Sequence, residues 1–270
     1  MELDAYLARI GYRGSLEPTL GTLRDLHRAH LLTIPYENLD IHLGRTLPLD
    51  EAEIFDKLVT QRRGGWCFEM NGLFAWALRE LGFAVTLLGA TVERVGSSVQ
   101  KTDHLVLLVA LDEPYLCDVG FGDGVREPLP LRAGRYRQGF LEYELTCEGE
   151  MWRFHNQPYG AARGFSFSLK PRTLDSFAGM CHTLQTSPES GFVRVTVCER
   201  FNEKGYGVLR GAVLLEVSAA GTRERVLEDA KDFDAVLRER FGLELPEAPA
   251  LWPRVWAGHL TWMKATSDWR

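Results

Sequence analysis

Apolar residues recur every three or four positions through the first third of the chain, then fall into short β-branched and aromatic runs, so helix gives way to strand near residue 84. The helical spacing covers residues 4–10, 19–32, 50–62 and 67–81, punctuated by Gly11, Pro18, Pro35, Pro48 and Gly82. Strands are predicted over 85–95, 104–111, 115–119, 140–147, 151–155 and 165–169, with glycine-rich turns between them. The last zone mixes strands at 193–201 and 208–217 with a helix at 232–241, capped by Asp232 and closed by Gly242. The pattern predicts an α+β chain: an N-terminal helical bundle over 1–83, a central antiparallel β-barrel over 84–192, and a C-terminal α/β lid over 193–270.

The chemistry enters where Arg62-Arg63-Gly64-Gly65-Trp66-Cys67-Phe68-Glu69-Met70-Asn71 joins a glycine turn to the fourth helix. Cys67 falls at the helix start, where unpaired N–H groups and the positive end of the dipole favour a thiolate. Gly64 and Gly65 are expected to take backbone angles closed to other residues and to leave room for a substrate near the sulfur. A free cysteine is also commonly a small buried hydrophobe, and position alone does not decide between the two.

A catalytic thiolate needs a base and a group to orient that base. His104 opens the apolar run to residue 111, and Asp118 closes the next strand before Gly120-Phe121-Gly122. Pairing those strands through Asp112-Glu113 would bring His104 and Asp118 to one end of a hairpin. His27, His30, His42, His155, His182 and His259 lack such a partner and read as surface, core or local hydrogen-bonding residues.

Arg63-Gly64-Gly65-Trp66-Cys67-Phe68-Glu69, His104 before an apolar strand, and Asp118-Val119-Gly120-Phe121-Gly122 together resemble the motifs of the arylamine N-acetyltransferase family. Pro35-Tyr36-Glu37-Asn38-Leu39 and Ser187-Pro188-Glu189-Ser190-Gly191-Phe192 resemble two further signatures, so five motifs lie in family order between residues 35 and 192. The resemblance implies a cysteine-protease or transglutaminase-like core, and N-acetylation of a small aromatic amine or hydrazine with acetyl-coenzyme A as acyl donor and no metal. By position, Cys67 would carry the acetyl group, His104 would act as base and then acid, and Asp118 would orient the ring. Tyr36, where the family usually has phenylalanine, and Phe121 match acceptor-pocket positions. Asp103, where relatives commonly carry threonine, and Gly122 fall beside the coenzyme. A thiol hydrolase or transglutaminase-like enzyme using the same triad on amides is the alternative.

Composition narrows the setting. With 45% hydrophobic residues in 270, the chain can bury more than one core. A formal charge of −6 argues against nucleic-acid partners. No apolar run reaches membrane-span length and no signal sequence is evident, so a cytoplasmic enzyme is expected. The odd set Cys67, Cys117, Cys147, Cys181 and Cys198 suits a reducing compartment and lacks zinc-site spacing. Cys117, Cys147 and Cys198 are expected to pack in strands, and Cys181-His182 to point to opposite faces of one. The aromatic C-terminus, with Trp252, Trp256, Trp262 and Trp269, is expected to pack on the body, or else to wall a ligand cleft. Oligomeric state has no signature in the sequence.

Overall fold

The computed structural model describes residues 1–93 and 101–267. Residues 94 and 95 of the strand predicted at 85–95, and Trp269, lie outside the described residues. Helices Leu3–Arg9, Leu20–Thr33 and Cys67–Glu80 form where the apolar spacing predicts them. The segment predicted as one helix over 50–62 is instead Glu51–Phe55, capped by the Asp50 carboxylate, continued by a wider π-helical turn Asp56–Thr60. The chain then reverses at Arg62, whose φ of 55° is the one positive value among described non-glycine residues.

Every residue of Cys67–Glu80 from Cys67 to Leu78 is buried. A helix enclosed on all sides needs apolar or satisfied polar groups all round, and this one packs against Leu3–Arg9, Glu51–Phe55 and two strands. Those strands belong to an eight-stranded antiparallel sheet that curls nearly closed. Its spatial order is Leu129–Pro130, Pro114–Cys117, His104–Ala110, Ala84–Val92, Gly164–Arg172, Met151–His155, Leu141–Glu148 and Gly134–Gln138. Leu107 lies opposite Cys117, so the chain leaving Cys117 runs back along the His104 end of the neighbouring strand.

A second sheet has the order Tyr36–Glu37, Val197–Asn202, Gly205–Arg210, Val213–Ser218 and Gly221–Val226. It corrects the sequence reading in three places. The strand predicted at 193–201 begins as a helical turn, Gly191–Arg194, because the Ser190 hydroxyl accepts from the Phe192 N–H. The strand predicted at 208–217 is a hairpin broken at Gly211, which takes a φ of +57° that a β-branched residue would resist. The helix expected from 232 is Ala230–Phe241, capped by Asp229, while Asp232 instead pairs with Arg225; Gly242 closes it at φ +68° as expected.

A further helix, Ala248–Ser267, was not predicted. Trp252 and Trp256 on it pack against a core of Phe233, Leu237 and Phe241, whereas Trp262 is 56% exposed. Cys181 lies in the helix Ala178–Thr186, not in a strand, and Cys147 is exposed, not packed. A larger core, running from Tyr6 to Val217, joins the helical zone to the barrel without a break.

Candidate active site

The loop before Cys67 is held from below by buried ions. Arg63 donates to Glu37 at 2.8 Å and to Asp40 at 3.1 Å, and Lys57 reaches Asp40 at 3.0 Å and Glu69 at 2.8 Å. Burial works against a charge on Lys57, but Glu69, Glu37 and Asp40 outweigh it and hold the ammonium above its usual value. Glu69 also accepts from the Trp66 N–H at 3.2 Å, which satisfies an amide at the helix start.

Gly64 and Gly65 serve this loop differently from the sequence reading. Neither has a positive φ. A Cβ on Gly64 would collide with the Pro35 carbonyl, and one on Gly65 would lie 2.9 Å from Glu69 Oε2. Their small size lets the loop lie against the strand of Tyr36, bonded through Glu37 N to Gly65 O at 2.8 Å, instead of making room for a substrate.

The register of the first hairpin puts His104 Nε2 2.7 Å from Asp118 Oδ2, with both side chains buried. That bond leaves Nδ1 as the ring atom free to face a thiol. Asp118 is fixed further by Asn71, which donates from Nδ2 to Asp118 Oδ1 at 2.8 Å and to the Leu105 carbonyl at 2.7 Å, and accepts from the Val119 N–H at 3.0 Å. Behind it, the Asp118 N–H donates to His27 Nε2 at 3.3 Å, while His27 Nδ1 bonds the Arg126 carbonyl at 3.1 Å. Asn71 and His27 had no assigned role in the sequence, because their partners lie 34 to 99 residues away in the chain.

Cys67 and His104 line one cleft of about 700 Å³ with Tyr36, Phe121, Asp103 and Glu199. Among the described residues no hydrogen bond joins the thiol to the ring. Burial pushes the Cys67 thiol well above its ordinary value, and the Asp103 and Asp118 charges add to that. The helix-dipole expectation is therefore overridden: a lone thiolate is disfavoured here. Transfer of the thiol proton to His104 would instead make a thiolate and an imidazolium together, with the Asp118 carboxylate against the new cation.

Phe121 lies tilted against the His104 ring, 5.2 Å between centroids, and continues into Phe154 and Phe165, an aromatic wall that holds the imidazole. Asp103 accepts from the Val92 N–H at 2.9 Å at the edge of the cleft. Gly122, at φ +72°, forms the turn below Glu199. The motif at 35–39 meets that at 187–192: Asn38 Nδ2 donates to the Phe192 carbonyl at 2.9 Å, and Phe192 lies edge-on to Trp66 at 5.2 Å.

Comparison with known proteins extends these likenesses over most of the chain. The family model described as N-acetyltransferase matches residues 19–250. A pineal gland isozyme of arylamine N-acetyltransferase from Gallus gallus, NAT-3, is 34% identical, with 91% of this chain and 95% of that protein covered. Arylamine N-acetyltransferase 1 of Homo sapiens is 35% identical over 79% of this chain and 82% of that protein. Among solved structures, the arylamine N-acetyltransferase of Mycobacterium marinum in complex with CoA superposes with a TM-score of 0.87 at 32% identity, covering 95% of this chain and 98% of that one. The Nocardia farcinica arylamine N-acetyltransferase gives 0.84 at 36% identity, covering 95% and 93%. A likeness of this extent in both sequence and fold leaves one assignment: the chain belongs to the arylamine N-acetyltransferase family.

Proposed function

We propose that this enzyme moves an acetyl group from acetyl-coenzyme A to an aromatic amine or hydrazine in two steps, through a thioester on Cys67. In the first, the Cys67 proton passes to His104 Nδ1 as the sulfur attacks the thioester carbonyl. The tetrahedral intermediate collapses by breaking the bond to the coenzyme sulfur, which takes the proton from His104. In the second, the amine nitrogen attacks the acetyl-cysteine carbonyl, its proton goes to His104, and the Cys67 thiolate leaves and is reprotonated. Splitting the transfer replaces one hard encounter by two easier ones. The Cys67 N–H, at a helix start, is the donor assigned here to the developing oxyanion.

One observation carries this reading: His104 is anchored at 2.7 Å to a carboxylate that Asn71 also grips, and it opens into the cleft that holds Cys67. In this reading Tyr36 and Phe121 wall the acceptor pocket and Asp103 faces the coenzyme; the expected coenzyme contact at Gly122 is not supported, because Gly122 packs under Glu199 and is not among the residues that line the cleft. The five free cysteines support a reducing, cytoplasmic setting. The residues divide by role into a unit that carries the nucleophile, 1–83, a barrel that carries its base and acid, 84–192, and a cover, 193–270.

The test is intact-protein and peptide mass spectrometry after incubation with acetyl-coenzyme A. An acetyl adduct on Cys67 that disappears when an aromatic amine is added supports the two-step transfer. Release of the coenzyme thiol with no adduct on Cys67, or an adduct that no amine discharges, overturns it.

A further inference from the structure

The acceptor side of the cleft contains an acid that the transfer mechanism does not use. Glu199 lies on Val197–Asn202 directly opposite Tyr36 in the antiparallel register, so the two side chains share a face about 5 Å apart at Cβ. Both line the cleft of Cys67 and His104. On its other flank the Glu199 carboxyl lies over Gly122, so close that a Cβ there would fall inside the carboxyl group. The turn after Asp118 therefore needs glycine at 122 both for its φ of +72° and to admit this side chain.

Glu199 is only 6% exposed, and it accepts a hydrogen bond from the Asp123 N–H. No side-chain donor among the described residues hydrogen-bonds to it. Burial pushes its carboxyl well above the usual carboxylate range, and the neighbouring Asp123 adds to that while Arg210 opposes it. Asp123 is occupied, accepting from Asn156 at 3.0 Å and from the Ala161 N–H at 2.6 Å. Glu199 is thus a buried carboxyl facing the cleft, and its single backbone hydrogen bond leaves acceptor capacity to spare.

The same turn measures its distance from the chemistry. A Cβ on Gly120 would lie 2.7 Å from Cys67 Cα, and Gly122, two residues on, touches Glu199. Cα atoms two apart are separated by at most about 7 Å, so this turn ties the Glu199 carboxyl to the same end of the cleft as Cys67.

We propose that Glu199 sets the acceptor preference of this enzyme, favouring aromatic amines with a basic or hydrogen-bond-donating ring substituent over those with a carboxylate. The inference rests on the acetyl-transfer reading above. A cationic substituent brings its own proton and pairs with Glu199, which releases its proton to solvent. A carboxylate substituent gains at most the one hydrogen bond that a protonated Glu199 can donate and meets the charge of Asp123, which burial raises only to about 6, with Arg210 exposed at the rim as the nearby cation.

The experiment compares kcat/KM for three para-substituted acceptors, para-(dimethylaminomethyl)aniline, para-toluidine and para-aminobenzoate, in the native enzyme and in Glu199→Gln. The native enzyme is expected to prefer the cationic over the anionic acceptor by about tenfold or more, with toluidine between, and Glu199→Gln to shrink that ratio about tenfold. A native preference for the anion overturns the proposal without any variant, and so does a ratio that Glu199→Gln leaves unchanged. If Glu199→Gln does not fold, the native ratio measured in low and high salt decides, since a preference set by a buried acid persists in salt while one set at the rim is lost. Acetylation of Cys67, measured in the native protein, separates the two claims: an adduct with the wrong preference rejects Glu199 alone, and no adduct rejects both.

Discussion

Asn71 Nδ2 lies 2.8 Å from Asp118 Oδ1, so the helix that presents Cys67, the proposed nucleophile, also fixes the carboxylate that holds His104. One turn of that helix separates Cys67 from Asn71, and the same amide reaches the strand of His104 through the Leu105 carbonyl. The three groups of the site are thus linked by a bridge from the helix to the barrel.

Asn71→Ala removes three buried hydrogen bonds. Acetyl transfer should fall by about 10²-fold or more, and stability by about 1–3 kcal/mol, as partners are left without a donor or acceptor. Steady-state kinetics with a urea titration checks both. A variant with full activity would show that Asp118 holds its place unaided.

Asp118→Asn retains the size of the side chain but presents a donor or a neutral oxygen to His104 Nε2. Transfer should drop about 10³- to 10⁴-fold with the fold intact, since the ring loses its preferred tautomer and the imidazolium its counter-charge. Pre-steady-state release of the coenzyme thiol is the measurement, and a loss under tenfold contradicts an orienting role.

His27 is fully buried and bonded on both nitrogens, and burial pulls it from 6.5 down to about 4. The unfolded chain therefore takes up this proton more readily than the folded one. The stabilisation is complete above about pH 6.5 and is lost as pH falls toward 4, amounting to about 3 kcal/mol. Burial lowers His30 in the same way and steepens the loss. Thermal unfolding between pH 7 and 4 should show this slope, and His27→Gln should flatten it. Equal slopes in the two proteins would contradict the assignment.

Two arginines bind Asp40 in different surroundings. Arg63 is buried and Arg45 is 44% exposed at its side chain. Arg63→Ala strands Glu37 and Asp40 without it and should cost about 3–5 kcal/mol, whereas Arg45→Ala should cost under about 1 kcal/mol. Denaturant midpoints of the two variants decide, and equal losses would show that Lys57 alone neutralises the buried acids.

The helices of the first third and the strands on either side of His104 were legible because their apolar spacing is set by a single buried face or a buried run. Position within the site was partly legible as well, since hairpin pairing is a local matter and puts Asp118 beside His104. What escaped depends on distant partners. Asn71, His27 and Glu199 are ordinary polar residues until the fold brings carbonyls, amides and cleft walls to them. The state of Cys67 was misread for the same reason: the helix start is local, while the burial and the Asp103 and Asp118 charges that outweigh it come from the barrel. Ala248–Ser267 was hidden by Pro253 and by tryptophans spaced for stacking on one another, Trp252 on Trp256 at 5.5 Å.

Tyr36–Glu37 is hydrogen-bonded to Val197–Asn202, a partner made some 160 residues later in synthesis. During translation the Cys67 helix and His104 can both emerge while that pairing is still unmade. The side of the cleft where Tyr36 faces Glu199 is completed only when the tail of the chain reaches back to its beginning, so a ribosome stalled before residue 197 would hold a cleft open on that side.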